Sequence, residues 1–150
     1  MLSERIDAEL KTAMKARDPE KVSTLRMLKA AISNLAIQKG KSVLEDPEVI
    51  EVIQKLMKQH QESIEAFTKG NRADLVAREA NEMQILRAYL PPAMEEAELK
   101  ALILATIQEL KASGPGALGQ VMKAVLSKVK GRADGRQVNQ LVSQLLQGGP

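Results

Sequence analysis

Aliphatic residues recur at every third or fourth position along most of this chain, and no segment alternates strictly between apolar and polar residues. This period places them on one face of an α-helix, whereas a half-buried strand needs a period of two. Aromatic residues make up only 1% of the chain, so its core has to be built from Leu, Ile, Val, Met and Ala. Such a composition favours packed helices. The sequence therefore predicts an all-α protein.

Helix boundaries in the first part of the chain are marked by capping residues. Asp18 and Asp46 each precede a proline, which combines an N-cap carboxylate with a residue suited to the first helical position. These two signals predict the starts of the second and third helices. The other candidate boundaries are Ser3 as the first cap, Asn71 or Asp74 as the fourth, and Gly40 and Gly70 as helix ends.

A change in helix length follows a Leu-Pro-Pro tripeptide. Pro91 and Pro92 cannot continue a helix, so the fourth helix stops before them. The apolar periodic segments beyond this joint are shorter and predict three helices, the first of which ends at the Ser-Gly-Pro-Gly turn at 113–116. We therefore predict an N-terminal four-helix domain over residues 1–92 and a small three-helix C-terminal bundle over residues 93–150.

Positive charge is concentrated at the end of the chain. The net charge is +3, and residues 111–150 contain six Lys and Arg against one Asp, whereas residues 1–110 contain sixteen basic and eighteen acidic residues. A segment of this kind attracts polyanions, because each neutralised phosphate releases counterions. The alternative is a solvated basic surface that serves only solubility. Charge alone leaves both interpretations open.

The stretch SKVKGRADGRQVNQLV at 127–142 carries most of this charge around two glycines. We predict that it binds the sugar and phosphate groups of a nucleic acid, since such backbone contacts need only correctly placed cations. Gly131 and Asp134 are predicted to be structural instead, as a helix end with positive φ and as the N-cap of the last helix. The predicted nucleic-acid-binding residues are Lys123, Lys128, Lys130, Arg132 and Arg136.

Base stacking is a poor fit to this stretch. Phe67 and Tyr89 are the only aromatic residues of the chain, and neither lies near the basic residues in the sequence. Recognition of single-stranded nucleic acid on an aromatic platform is therefore disfavoured. Recognition of a folded RNA by its shape is favoured instead.

Residues suited to catalysis or metal binding are few. The chain has no Cys, and its single histidine, His60, is spaced from Leu56 and Ile64 as a partly buried helix residue would be. The acidic clusters at 45–46 and 95–98 coincide with predicted helix starts, where negative charge interacts favourably with the helix dipole. No phosphate loop, dinucleotide fingerprint or nucleophile elbow is present. We therefore predict no catalytic residue, metal ligand or cofactor.

The expected location follows from targeting signals that the sequence does not show. No run of about 18 apolar residues could form a membrane span, and the N-terminal MLSERIDAEL is charged and unlike a signal peptide. The lack of Cys fits a reducing compartment. The sequence therefore predicts a cytoplasmic protein without membrane contact.

Four segments of the chain together resemble the GatB/YqeY family. They are LRMLKAAI at 25–32, YLP at 89–91, GQVMKAV at 119–125 and KVKGRADGRQVNQLV at 128–142, and the resemblance covers essentially the whole chain. It implies a stand-alone YqeY-like protein, similar to the C-terminal region of the B subunit of the bacterial tRNA-dependent amidotransferase. That enzyme converts Glu-tRNA(Gln) or Asp-tRNA(Asn) to the amidated product, which links the family to carbon–nitrogen ligases that use glutamine as the amide nitrogen donor.

The resemblance also implies partners. The matching region of the amidotransferase is a tRNA-binding appendage, and a similar module is appended to some glutaminyl-tRNA synthetases, so tRNA contact without chemistry of its own is expected. An aminoacyl-tRNA synthetase or an amidotransferase would be the protein partner. Where the amidotransferase subunit has a short GKA connection after GQVMK, this chain has AVLSKVKGRA, so the RNA contact is expected to differ in detail. The rival interpretation is a helical adaptor that binds only proteins.

Overall fold

The described part of the chain, residues 1–147 of a computed structural model, consists of helices and the turns between them. Its seven α-helices confirm the all-α prediction, and none of them is both long and apolar enough to cross a membrane. The helices are α1 (Leu2–Lys15), α2 (Pro19–Lys39), α3 (Asp46–Lys69), α4 (Ala73–Arg87), α5 (Glu96–Leu110), α6 (Leu118–Val129) and α7 (Gly135–Gln147), with a short 3-10 helix at Pro115–Ala117 before α6.

The chain forms two compact units. The first is Met1–Leu90, with α1 to α4, and the second begins at Pro91 and contains α5 to α7. Each unit has a hydrophobic core of its own. The sequence predicts that residues 1–92 and 93–150 are domains that fold independently. This division stays a prediction.

The core of the first unit draws aliphatic side chains from all four of its helices. Ile6 of α1, Leu25 of α2, Ile53 of α3 and Leu86 of α4 are each at most 1% exposed. Leu44, in the connection between α2 and α3, is equally buried, although no helical period marks it in the sequence. Full burial of one such side chain stabilises a fold by roughly 1.5–3 kcal/mol, so these contacts hold the four helices together.

The core of the second unit is aliphatic, because no aromatic residue follows Tyr89 in the sequence. The apolar residues that are at most 1% exposed lie four positions apart on each helix, so each helix presents one continuous apolar face. These residues are Leu99 and Ile103 of α5, Val121, Val125 and Val129 of α6, and Val138 and Val142 of α7, none of them more than 1% exposed.

Local capping signals set the two ends of α2. The Asp18 side chain accepts a hydrogen bond from the backbone N–H of Lys21 at 3.2 Å, and Pro19 occupies the first helical position. At the other end, Gly40 adopts the left-handed conformation with φ of 67°. Both boundaries predicted from the sequence are therefore confirmed, because each signal acts within a few residues of its own position.

The start of α1 departs from the prediction. Ser3 lies inside the helix, and its hydroxyl oxygen is buried without a hydrogen-bond partner. The cap comes instead from Asp46, whose Oδ1 accepts a hydrogen bond from the backbone N–H of Leu2 at 2.9 Å. Asp46 is the first residue of α3, and Glu45 occupies the N-cap position predicted for it. One carboxylate thus joins the starts of two helices that are distant in sequence.

The start of α3 carries a capping box that is held by lysines. The Glu48 side chain accepts a hydrogen bond from the backbone N–H of Glu45 at 3.0 Å, and Lys39 and Lys41 lie 2.8 and 2.9 Å from its two oxygens. The Lys39 ammonium, the Glu45 N–H and Lys41 together lower the pKa of Glu48 from 4.5 to about 2. Its stabilising effect is therefore complete above pH 4.5 and is lost as the pH falls through about 2.

The start of α4 also differs from the prediction, which placed the cap at Asn71 or Asp74. Arg72 precedes the helix, and its guanidinium Nε and Nη2 each lie 3.2 Å from a carboxylate oxygen of Asp74. Asn71 adopts a positive φ of 58° and ends the turn after α3. Asp74 is therefore not the N-cap: it is the second residue of α4 and pairs with the neighbouring guanidinium.

Tyr89 fastens the end of α4 to α1. Its hydroxyl donates a hydrogen bond to Glu9, and the guanidinium carbon of Arg5 lies 4.8 Å from the ring centroid. The residue is only 4% exposed. Burial, together with the adjacent Glu9 carboxylate, raises the pKa of the tyrosine hydroxyl well above its usual value. The side chain therefore stays a neutral hydrogen-bond donor at neutral pH and well above it.

We predict that Asp46→Ala lowers the free energy of unfolding of the first unit by about 1 kcal/mol, the usual cost of losing a helix cap. Asp46→Asn keeps an acceptor oxygen and is expected to cost less. Urea denaturation followed by circular dichroism measures both changes. The matched control is Asp7→Ala, which removes an exposed carboxylate paired with Lys29 at 3.1 Å and should cost no more than about 0.5 kcal/mol. Equal losses for Asp46→Ala and Asp7→Ala would contradict the long-range cap.

Candidate nucleic-acid interface

The predicted nucleic-acid-binding stretch forms the end of α6, the turn after it and the start of α7. Lys130 and Gly131 both adopt positive φ, of 46° and 84°, which reverses the chain within two residues. The backbone N–H of Arg132 donates to the Val129 carbonyl at 3.0 Å and closes the turn. Val129 and Val138, on either side, are buried in the core of the second unit. The turn is therefore anchored at both ends by apolar contacts.

Asp134 begins α7. Its Oδ1 accepts a hydrogen bond from the backbone N–H of Arg136 at 3.1 Å, and its carbonyl oxygen accepts one from Val138 at 3.0 Å. This is the geometry of an N-cap residue. A carboxylate at this position also repels phosphate, so the N-terminus of α7 is a poor anion site.

Arg132 is a structural contact as well as a surface cation. Its Nε donates to the carbonyl oxygen of Pro92 at 3.2 Å, and its guanidinium lies 3.4 and 3.5 Å from the two oxygens of Glu98. Its own carbonyl oxygen accepts a hydrogen bond from the Met94 N–H at 2.7 Å. Arg132 therefore holds the segment that follows Pro91 and Pro92 against the turn between α6 and α7.

Lys128 is directed towards α5. Its Nζ lies 2.7 Å from a carboxylate oxygen of Glu109 and 3.1 Å from the Thr106 hydroxyl oxygen. Lys123 precedes it by five positions on the same helix, and at 3.6 residues per turn the two side chains point about 140° apart. The structure therefore does not bring Lys123 and Lys128 onto one face of α6.

The remaining predicted residues are exposed. Lys123, Lys130 and Arg136 all lie on the surface of the second unit. Neither Lys123 nor Lys130 forms an ion pair within residues 1–147. Lys130 and Arg136 flank the turn that contains Arg132, so these three cations come from one short segment of the chain.

Acidic residues of α5 reduce the positive charge of this region. From Pro91 onward the chain contains seven Lys and Arg and five Asp and Glu, a net charge of only +2. The two ion pairs are exposed, with 36% and 38% of the Lys128 and Arg132 side chains accessible to solvent. Exposed pairs of this kind contribute at most about 1 kcal/mol. Neither pair therefore contributes much to the stability of the second unit.

Several contacts of charged residues could not be read from the sequence. Glu98 was interpreted only as part of the acidic cluster at a helix start, Glu109 was not singled out, and neither carries a local signal that pairs it with Arg132 or Lys128. His60 is buried at 7% exposure, as its spacing predicts. Its Nδ1 contacts the Glu79 carboxylate and lies 3.5 Å from that of Glu82, two partners that the sequence analysis missed.

Comparison with known proteins identifies the relatives of this chain. The family model described as Yqey-like protein matches residues 3–146. The chain is similar to proteins named Altered inheritance of mitochondria protein 41, mitochondrial. The protein from Pyrenophora tritici-repentis is 32% identical over 145 residues, which cover 95% of this chain and 79% of the relative. The one from Lachancea thermotolerans is 38% identical over 109 residues, which cover 71% of this chain and 58% of the relative. The chain thus spans little more than half the length of the second relative.

These names correct one prediction. The sequence predicts a cytoplasmic protein, whereas the relatives from Pyrenophora tritici-repentis, Lachancea thermotolerans and Eremothecium gossypii are all named as mitochondrial. The cytoplasmic prediction is therefore wrong. It rested on the absence of export and membrane signals, and such an absence does not distinguish one internal compartment from another.

We predict that Lys130→Gly leaves the stability of the second unit unchanged or raises it by up to about 1 kcal/mol. Glycine tolerates the positive φ at this position, which offsets its greater freedom in the unfolded chain. Gly131→Ala should instead lower the free energy of unfolding by about 1–2 kcal/mol, because alanine is strained at a φ of 84°. Thermal and urea denaturation compare the two variants. A loss for Lys130→Gly as large as that for Gly131→Ala would contradict the left-handed assignment of Lys130.

Proposed function

This chain belongs to the Yqey-like protein family, and we propose that it is a non-catalytic tRNA-binding accessory protein. The contact surface would be the end of the second unit formed by α6, α7 and the turn between them. The observation that carries this proposal is the exposure of Lys130 and Arg136 on either side of a turn that is anchored in the core, with Lys123 exposed on α6. The names of the relatives refer to mitochondria and not to RNA, so support for tRNA comes from these residues and from the resemblance to the GatB/YqeY family.

The five proposed contacts fall into two groups. Lys123 and Lys130, which form no ion pair within residues 1–147, would engage phosphates directly, and Arg136 would add a contact from the start of α7. Lys128 and Arg132 would first exchange Glu109 and Glu98 for phosphate oxygens. This exchange is favourable because an exposed ion pair contributes little, whereas a charge-assisted hydrogen bond to phosphate adds the release of counterions.

The mode of recognition would be contact with sugar and phosphate rather than with bases. Both aromatic residues of the chain, Phe67 and Tyr89, belong to the first unit, so the second unit offers no ring on which a base can stack. Cations spread over two helices and a turn suit the surface of a folded RNA, which is recognised largely by its shape and backbone.

The two units would be independent domains with separate tasks. In this proposal the four-helix domain over residues 1–92 docks on a protein partner, and the three-helix domain over 93–150 contacts tRNA. The separate hydrophobic cores support the division. The protein partner would be an aminoacyl-tRNA synthetase or an amidotransferase, the two kinds of enzyme that the family resemblance implies.

A helical adaptor that binds only proteins is the second candidate. Ile37 and Val43, at the end of α2 and in the connection after it, are 77% and 57% exposed. A protein bound at the first unit would remove these apolar side chains from water. Under this alternative the basic residues of the second unit serve only solubility, and the chain has no saturable affinity for tRNA.

We predict that the triple variant Lys123→Gln, Lys130→Gly, Arg136→Gln weakens binding to unfractionated tRNA. If all five cations contact phosphates, the logarithm of the affinity should fall against the logarithm of the salt concentration with a slope of about −4 to −5 in the natural chain. The variant should reduce that slope by up to about three units, and the loss should be similar for different tRNAs, because backbone contacts do not read sequence. Fluorescence anisotropy between about 50 and 200 mM salt measures both quantities.

The matched control removes the same number of charges from the first unit, as Lys11→Gln, Lys15→Gln, Arg17→Gln. It should leave tRNA affinity nearly unchanged. An equal loss in both triple variants would show that net charge alone governs binding. No saturable binding by the natural chain would favour the adaptor.

We also predict that a fragment from residue 91 to 150 folds alone and melts cooperatively. Its length is close to the lower limit for independent folding, so its aliphatic core should give only marginal stability. Circular dichroism during heating measures the transition. A fragment that is unfolded while the full chain is stable would contradict the division into domains. A fragment that folds but does not bind tRNA would contradict the proposed interface alone.

A further inference from the structure

The single histidine of the chain, His60, lies beside the carboxylates of Glu79 and Glu82 inside the first unit. We propose that His60, Glu79 and Glu82 form a binding site for one divalent transition-metal ion, with Zn²⁺ as the best match. The proposal is independent of tRNA binding, since all three residues belong to α3 and α4.

The positions of the three residues bring their donor atoms together. Glu79 and Glu82 lie three positions apart on α4, so they share one face of that helix. His60 lies on α3, which packs beside α4. One imidazole nitrogen and one oxygen from each carboxylate lie within 4.8 Å of one another. Rotation of the carboxylates would bring these atoms to the spacing that a common ion requires.

The carboxylates of Glu79 and Glu82 are largely buried, so their negative charge has to be balanced by a positive charge nearby. The side chain of His60 is 9% exposed, that of Glu82 13% and that of Glu79 21%. Two carboxylates in such surroundings need positive charge close to them. The nearest permanent cation is Arg78, whose Nε lies 3.7 Å from Glu82, but its side chain is 62% exposed. A divalent ion would supply two positive charges at the centre of the cluster.

The donor set indicates the class of ion. One imidazole nitrogen with two carboxylate oxygens suits Zn²⁺ and neighbouring transition metals, whereas Ca²⁺ and Mg²⁺ prefer oxygen donors alone. Three protein ligands also leave a position for water in a tetrahedral site. Since the ligands come from two helices, the ion would join α3 to α4 and stabilise the first unit.

The alternative is that the three residues bind no metal, and an experiment can distinguish this alternative from a metal site. A protonated His60 could pair with both carboxylates, and the cluster would then be a structural ion pair that no metal enters. The two interpretations differ in how stability responds to added Zn²⁺, because an ion that binds only the folded chain lowers the equilibrium constant of unfolding in proportion to its concentration.

The test is a titration of the chelator-treated full chain with Zn²⁺, followed by calorimetry and by thermal unfolding. The natural chain should bind one ion, and Zn²⁺ at 100 times its dissociation constant should reduce the equilibrium constant of unfolding about 100-fold. His60→Gln and Glu82→Gln should each weaken Zn²⁺ affinity at least tenfold. Glu62→Gln, which removes an exposed carboxylate from the same helix as His60, should bind Zn²⁺ like the natural chain. Mg²⁺ should have no comparable effect.

Three outcomes would overturn the proposal. The natural chain could bind no Zn²⁺, which leaves the cluster as an ion pair. Zn²⁺ could bind equally to the natural chain, to His60→Gln and to Glu82→Gln, which indicates adventitious binding to surface carboxylates. Stabilisation by Mg²⁺ equal to that by Zn²⁺ would exclude a role for the imidazole. If His60→Gln does not fold, Glu82→Gln decides, because its carboxamide keeps the size and one acceptor oxygen of the natural side chain.

Discussion

Packing of aliphatic side chains between helices is the interaction on which both units depend. With aromatic residues at 1% of the chain, neither core has large rings to fill it, and Leu, Ile and Val have to meet across every helix contact. The second unit shows the consequence most simply. Its helices each present apolar residues at intervals of four, and Val129 and Val138 fix both sides of one short turn. The charged side chains between Val129 and Val138 therefore lie at the surface.

Surface charge in the second unit is arranged so that part of it is already balanced. Glu98 and Glu109 of α5 face Arg132 and Lys128, which limits repulsion between cations in the free protein. Because both pairs are exposed, they can open for a competing anion with little loss of stability. Arg132 differs from Lys128 because its guanidinium also donates a hydrogen bond to the carbonyl oxygen of Pro92. In the proposed complex, the same surface would contribute to folding in the free chain and to phosphate contact in the bound one.

The sequence predicted most features that depend on neighbouring residues, although the caps predicted at Asp46 and at Asn71 or Asp74 were wrong. The all-α class, the cap at Asp18, the end at Gly40 and the burial of His60 follow from local signals and helical period. Other predictions failed because the partner is remote. The cap of α1 comes from Asp46, 44 positions away from Leu2, so no local pattern could have replaced Ser3 by it. Glu79 and Glu82 beside His60 are remote in the same sense, and their shared helix face was the one signal available. The prediction of a cytoplasmic location was wrong for another reason: the absence of export signals does not identify a compartment.

The central claim, that tRNA contacts the end of the second unit, is tested most directly by a nuclear magnetic resonance titration of the full chain with tRNA. If this claim is correct, the backbone amide signals of residues 123–136 shift or broaden first. Signals of Gly40 and Gly70, which lie in the first unit, should stay in place at the same ratios. Changes that begin in α1 to α4, or a spectrum unaltered by excess tRNA, would contradict the account.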